Sequence, residues 1–124
     1  DDFVFGILLQ AVEYVLEKSP GRYIILDGRT FSRKNQVDAL LTYAMENQRE
    51  LKIIHCRCSN EIAEARLKQD TVSGDHPASN RGYDLYLKLQ TKDEPLQTPY
   101  LDVDTAEPLE DCVKKCMDYL GEKA

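Results

Sequence analysis

Residues 22–33, RYIILDGRTFSR, decide how the rest of the chain is read. Tyr23, Ile24, Ile25 and Leu26 form an apolar run without alternation, which suits a strand covered on both faces, as in a parallel sheet. At Asp27, Gly28, Arg29 and Thr30 polarity and charge arrive together, and Phe31 and Ser32 lead into a long amphipathic segment. A buried strand ending in a carboxylate, a glycine, an arginine and a hydroxyl ahead of a helix is a common layout in open α/β sheets, where ligands bind outside the carboxyl ends of the strands. The same residues also read as a strand, a glycine turn and a capped helix with incidental charges.

On the N-terminal side, Phe3, Val4, Ile7, Leu8, Ala11, Val12, Val15 and Leu16 recur at helical spacing, so residues 3–18 read as an amphipathic helix broken by Ser19, Pro20 and Gly21. On the C-terminal side, Ser32 can cap a helix carrying Val37, Leu40, Leu41, Ala44 and Met45. Residues 51–58, LKIIHCRC, read as a second strand. Ser59 and Asn60 offer caps for a helix over 61–69. Residues 70–81, DTVSGDHPASNR, are the most loop-like segment, and 82–92 read as a further helix. Residues 100–105 are a third strand and its exit; Pro108 suits the first turn of a last helix over 109–120, which Gly121 ends. Strands alternating with helices of this length indicate an α/β fold: a parallel sheet with helices on both faces.

The chain has 124 residues, enough for one domain and one core. Its net charge of −6 argues against a nucleic-acid or anionic-membrane partner, and no apolar run is long enough to span a bilayer. A small phosphate site stays open, because a local cluster of arginines can override the global sign. Cys56 and Cys58, and Cys112 and Cys116, lack C-x-x-C spacing and a matching Cys/His set. They read as reduced, partly buried thiols of a cytoplasmic protein.

Two constellations can carry chemistry. Asp27 and Asp104 fall at the carboxyl ends of strands, where a carboxylate can hold magnesium through hard oxygen contacts; each also reads as a turn-forming Asp. Arg29 and Arg33 follow the first strand, while Arg66 and Arg81 bracket the 70–81 loop. Arginine suits multidentate phosphate contacts, so this pattern resembles a lid that carries charges over a site. Arg66 also reads as part of a solvated helix face. His55 reads as packing or making one hydrogen bond. There is no G-x-S-x-G, no metalloprotease helix and no glycine-rich phosphate loop.

Taken together, IILDGRTFSR, LKIIHCRC with SNEIAEARLKQD, HPASNRGYDLY and TPYLDVDTAEPLEDCVKKCMDYL resemble the small-molecule kinases of the P-loop NTPase superfamily, nearest to the AAA-type, zeta-toxin-like and polynucleotide-kinase-like phosphotransferases. The resemblance implies an ATP- and Mg2+-dependent kinase acting on a small-molecule or nucleotide-like phosphoryl acceptor. It makes residues 22–27, 51–58 and 100–104 strands three, four and five of a sheet ordered 2-3-1-4-5. Asp27 then holds the acidic, magnesium-organising position. Arg29, Thr30 and Arg33 lie where the acceptor binds, Arg66 and Arg81 belong to a lid at about 66–81, and Arg66, Thr105 and Pro108 border the adenine. The family's first and second strands and its G-x-x-x-x-G-K-[ST] loop would precede Asp1, so the expectation is that residues 1–124 are the C-terminal portion of one such domain, inactive alone. The alternatives are a non-catalytic α/β nucleotide-binding or interaction domain, and a flavodoxin-like regulatory domain.

Overall fold

The computed structural model describes residues 2–27, 31–74 and 82–122. Five helices and two strands follow one another as α1 (Asp2–Lys18), α2 (Lys34–Glu46), β1 (Ile54–Arg57), α3 (Asn60–Ser73), α4 (Tyr83–Gln90), β2 (Leu101–Asp104) and α5 (Leu109–Leu120). The strands pair in parallel, with Ile54 opposite Leu101 and Arg57 opposite Asp104. The fold is thus α/β, as the alternation of patterns implies.

The difference from expectation lies in 22–27. The segment is extended but joins no ladder, so the described sheet has two strands and not three. Ile24 and Leu26 are half-buried, whereas Tyr23 and Ile25 face outward, Ile25 with 85% of its surface exposed. A run with apolar residues on both sides is covered here on one side only.

The two strands are also covered on one face. Alternation puts Ile54, Cys56, Leu101 and Val103 on the face where α5 packs against β2. Val103, at 1% exposure, is the most deeply buried of the core side chains. His55, Arg57, Asp102 and Asp104 alternate onto the opposite, exposed face, so helices do not cover both faces of this pair.

Capping chemistry explains most helix boundaries. Ser59 Oγ accepts the Ile62 amide at 3.3 Å and starts α3, one residue before the Asn60 alternative. Helix α3 runs four residues past the expected Gln69, to Ser73, because Gly74 ends it in the left-handed conformation at φ 65°. Gly121, at φ 78°, ends α5 where the sequence places the stop. Helix α2 starts at Arg33 as N-cap and not at Ser32. Its cap is partly local and partly remote: Gln36 Oε1 accepts the Arg33 amide at 3.2 Å, Glu94 Oε2 accepts the Lys34 amide at 3.1 Å, and the Glu94 amide donates to the Ser32 carbonyl at 2.7 Å. A carboxylate at the positive end of α2 does what a local serine would have done.

Helix α1 buries Phe5 and Val12, with Leu8, Leu9 and Leu16 half-buried, at spacings of three and four. Phe3, Val4, Ile7 and Val15, counted above as part of the buried stripe, remain exposed, Phe3 by 76%. The helix is apolar nearly all round, the pattern of a helix with cover on more than one side. A three-way cluster joins α1 to the end of α2. Glu13 accepts from the Tyr43 hydroxyl at 2.6 Å and from Arg49 Nε at 3.2 Å, with a second Arg49 nitrogen on its other oxygen. Burial and the Glu13 carboxylate push the Tyr43 phenol up to about 12, while Arg49 and Tyr43 hold Glu13 below the usual carboxylate range. No helix of the described residues is long and apolar enough to cross a membrane.

Candidate functional site

The exits of β1 and β2 converge on one residue. Thr105 follows β2, and its amide donates to the Arg57 carbonyl at 2.8 Å, continuing the ladder by one bond. Its hydroxyl donates to the same carbonyl at 3.1 Å. The Arg66 guanidinium reaches across from α3 and donates to Thr105 Oγ1 and to the Thr105 carbonyl, both at 2.8 Å. Arg66 and Thr105, which the resemblance alone assigns to the nucleotide, are thus bonded to each other at the strand exits. The fork ties α3 to the strand ends. Its two bonded nitrogens would have to release Thr105, or use their outward hydrogens, to hold an anion.

A charge ladder runs along the exposed face beside this junction. Asp102 accepts from Arg57 Nε at 2.6 Å and lies 3.2 Å from His55 Nδ1; Arg57 also reaches Asp104 at 3.4 Å. The Arg57 bond first, and His55 after it, holds Asp102 below the usual carboxylate range. Asp104 in addition accepts the Ala106 amide at 2.9 Å, which shapes the turn toward α5. Asp104 thus acts as the turn-forming residue that its sequence position allows. His55 makes its one polar contact and stands edge-on to Tyr100, with ring centroids 5.8 Å apart. Pro108 is the N-cap residue of α5, three positions after Thr105, and its carbonyl accepts the Asp111 and Cys112 amides.

Asp27 ends the extended segment near β1. The Cys56 thiol is pushed up by burial and then by Cys116, Cys112 and Asp27, which puts Asp27 within electrostatic reach of the strand. All four cysteines are free: Cys112 is buried, Cys58 and Cys116 are half-buried, and Cys56 is the most open of the four while its thiol is still partly shielded. Arg33 stands apart from these residues. It lines a cleft of about 210 Å³ with Lys34, Asp38, Leu41, Glu94 and Pro95, and none of Asp27, Arg66 or Thr105 lines that cleft. Lys34 is paired with Asp38 at 2.5 Å, and Glu94 sits on the α2 amide, so the local charges are largely matched. Arg29, Thr30 and Arg81 lie outside the described residues.

Sequence reading missed two features. Glu94 as a cap depends on a contact across 60 residues of chain, which no local pattern reveals. The charge ladder had a visible signal, the alternation in Ile54-His55-Cys56-Arg57 and Leu101-Asp102-Val103-Asp104, which marks a half-exposed pair.

The residues can be tested against the groups that the resemblance implies. Magnesium is commonly held by one or two carboxylates together with substrate phosphates, and Asp27 is the one carboxylate that the resemblance assigns to it. Among the described residues no group of three or more His, Cys, Asp or Glu is placed to hold a metal by itself. A nucleotide triphosphate needs a cradle of consecutive backbone amides and a lysine. The sequence contains no G-x-x-x-x-G-K-[ST] to provide it, so these residues alone do not fit a triphosphate. No family model, curated protein or solved structure matches the chain.

Proposed function

We propose that these residues form the acceptor and lid side of an ATP- and magnesium-dependent phosphotransferase, a P-loop kinase-like protein acting on a small-molecule or nucleotide-like acceptor. The observation that supports this reading most is the Arg66–Thr105 pair at the strand exits, where open α/β sheets bind ligands. In this reading Asp27 contributes one oxygen ligand to magnesium, Arg66 and Arg81 neutralise phosphate charge, Thr105 and Pro108 border the base, and Arg29, Thr30 and Arg33 hold the acceptor. Residues 1–124 contain no phosphate loop, so no transfer step is assigned to these residues alone. Their part is binding, orientation and charge neutralisation.

The test is phosphoryl transfer by the complete protein with magnesium and labelled ATP, comparing wild type with Arg66→Ala. The expected result is turnover lowered about a hundredfold by the substitution, with the fold retained. Absence of transfer, or equal turnover in the variant, would contradict the reading. The isolated chain should show no micromolar Mg-ATP binding by calorimetry, because the phosphate cradle is not among its residues.

A second reading, a non-catalytic α/β interaction domain, is favoured by one observation: both Arg66 nitrogens already serve Thr105. Under that reading Arg66 is a tether, Arg66→Ala lowers stability, and the protein transfers no phosphoryl group with or without the substitution.

A further inference from the structure

The cleft at the start of α2 lies between the first two turns of that helix and residues 94–98, which follow α4. Its volume is about 210 Å³. Pockets for drug-sized ligands begin at roughly 300 Å³, so this one suits a single small metabolite and not a nucleotide. Val37, which is buried, and Leu41 and Leu96, which are half-buried, give it an apolar wall.

The charged part of the lining is left incomplete. Lys34 is taken by Asp38, one turn along α2, at 2.5 Å. Arg33 and Glu94 are opposite in charge and line the same cleft, yet they do not close on each other. Among the described residues, the Arg33 guanidinium makes no hydrogen bond or ion pair. Glu94 commits Oε2 to the Lys34 amide at 3.1 Å, and its Oε1 has no partner among the described residues. That bond also fixes the spacing. The Lys34 nitrogen directly follows the Arg33 carbonyl in the chain, so the carboxylate stands beside the base of the Arg33 side chain. The Glu94 backbone is held as well, its amide donating to the Ser32 carbonyl at 2.7 Å.

An open carboxylate oxygen and an open guanidinium, side by side along an apolar wall, match a ligand with an ammonium and a carboxylate close together on an apolar body. A phosphate ester is a poorer match. Its second negative charge would face Asp38 and Glu94 with only Arg33 uncommitted. A peptide is a poorer match too, because its length separates its two terminal charges. A free α-amino acid holds both on one carbon.

We propose that this cleft binds a free α-amino acid with an apolar side chain. The ligand carboxylate takes the Arg33 fork, the ammonium donates to Glu94 Oε1, and the side chain lies on Val37, Leu41 and Leu96. The site does not rest on phosphotransfer. Arg33 is the one residue it shares with the proposed acceptor group, and none of Asp27, Arg66 or Thr105 lines it.

The test is an NMR titration of isotopically labelled protein with L-leucine and, separately, L-phenylalanine, without nucleotide or magnesium. At least one should shift the amides of Lys34, Glu94 and Gln97 saturably, with a Kd below about 1 mM. Its N-acetyl form, which lacks the ammonium, and its amide, which lacks the carboxylate, should each bind about tenfold more weakly. Arg33→Gln changes an exposed side chain, so the fold should persist while binding weakens about tenfold. No saturable shift with either amino acid would overturn the proposal. Equal binding of the N-acetyl form or of the amide would overturn it too, as would unchanged binding by Arg33→Gln. Such a failure leaves the phosphotransfer reading standing, since Asp27, Arg66 and Thr105 take no part in this cleft.

Discussion

The β1–β2 pair and the 22–27 segment are built from similar residues and end differently. Both are short and extended, and β2 and the segment each finish in an aspartate, Asp104 and Asp27. The pair has ladder bonds, a helix over one face, a charge ladder on the other and an arginine fork across its end. The segment has an anchored Tyr23 and an outward-facing Ile25. The difference is one of neighbours and not of propensity: a strand sequence becomes a strand only where another backbone lies alongside it.

The largest expected effect is on burial. Val103→Ala removes side-chain atoms from the tightest part of the core and should destabilise by about 2 kcal/mol in urea denaturation. Ile25→Ala removes more apolar surface, yet from a site that is 85% exposed. It should cost under about 0.5 kcal/mol in the isolated chain. Equal costs would mean that Ile25 is covered and would end the contrast between the two regions.

The tie across the strand exits comes next. Arg66→Ala should destabilise by about 1 kcal/mol, the size of the bonds it makes to Thr105. Thr105→Ala combined with it should cost less than the sum of the two, because both remove one shared interaction. Additive costs in denaturation would show that the fork contributes nothing to holding α3 on the sheet. A smaller loss, about 0.5 kcal/mol, is expected for Glu94→Ala, since α2 then loses the carboxylate on its first turn. An unchanged urea midpoint would remove Glu94 as the cap.

Acid should act on both regions, through different carboxylates. Asp102 on the strand pair and Glu13 between α1 and α2 are both held below their ordinary range. A depressed carboxylate contributes stability above its unfolded pKa, near 4, and loses it as pH falls through the folded value. Tyr43 has the opposite sign. Its raised pKa, about 12, contributes stability that is complete below about 10 and lost as pH rises toward 12. Denaturation midpoints followed from pH 7 to 3 should therefore fall for wild type and fall less for Asp102→Asn and for Glu13→Gln. A slope unchanged by either substitution would contradict the assignment.

The helices were largely legible in the sequence, because apolar spacing, Ser59, Pro108 and Gly121 act locally. The two paired strands were legible too, although β1 starts three residues after the expected Leu51 and β2 one residue after the expected Tyr100. The status of 22–27 was not, since its apolar run states what the segment needs and not whether a neighbour supplies it. At the candidate site, the pairing of Arg66 with Thr105 depends on how α3 packs against the strand exits and could not be read from spacing. The exposed face of the strand pair was misjudged because β-alternation in four-residue strands is easily absorbed into a continuous apolar reading.

The most direct measurement of the contrast is residue-resolved amide exchange on the 124-residue chain without additions. The amides of β2 and of Thr105 should be protected, and those of 23–27 should exchange at nearly the rate of unstructured chain. Protection of 23–27 equal to that of β2 would mean that the segment is already a strand of the sheet, and would contradict the account.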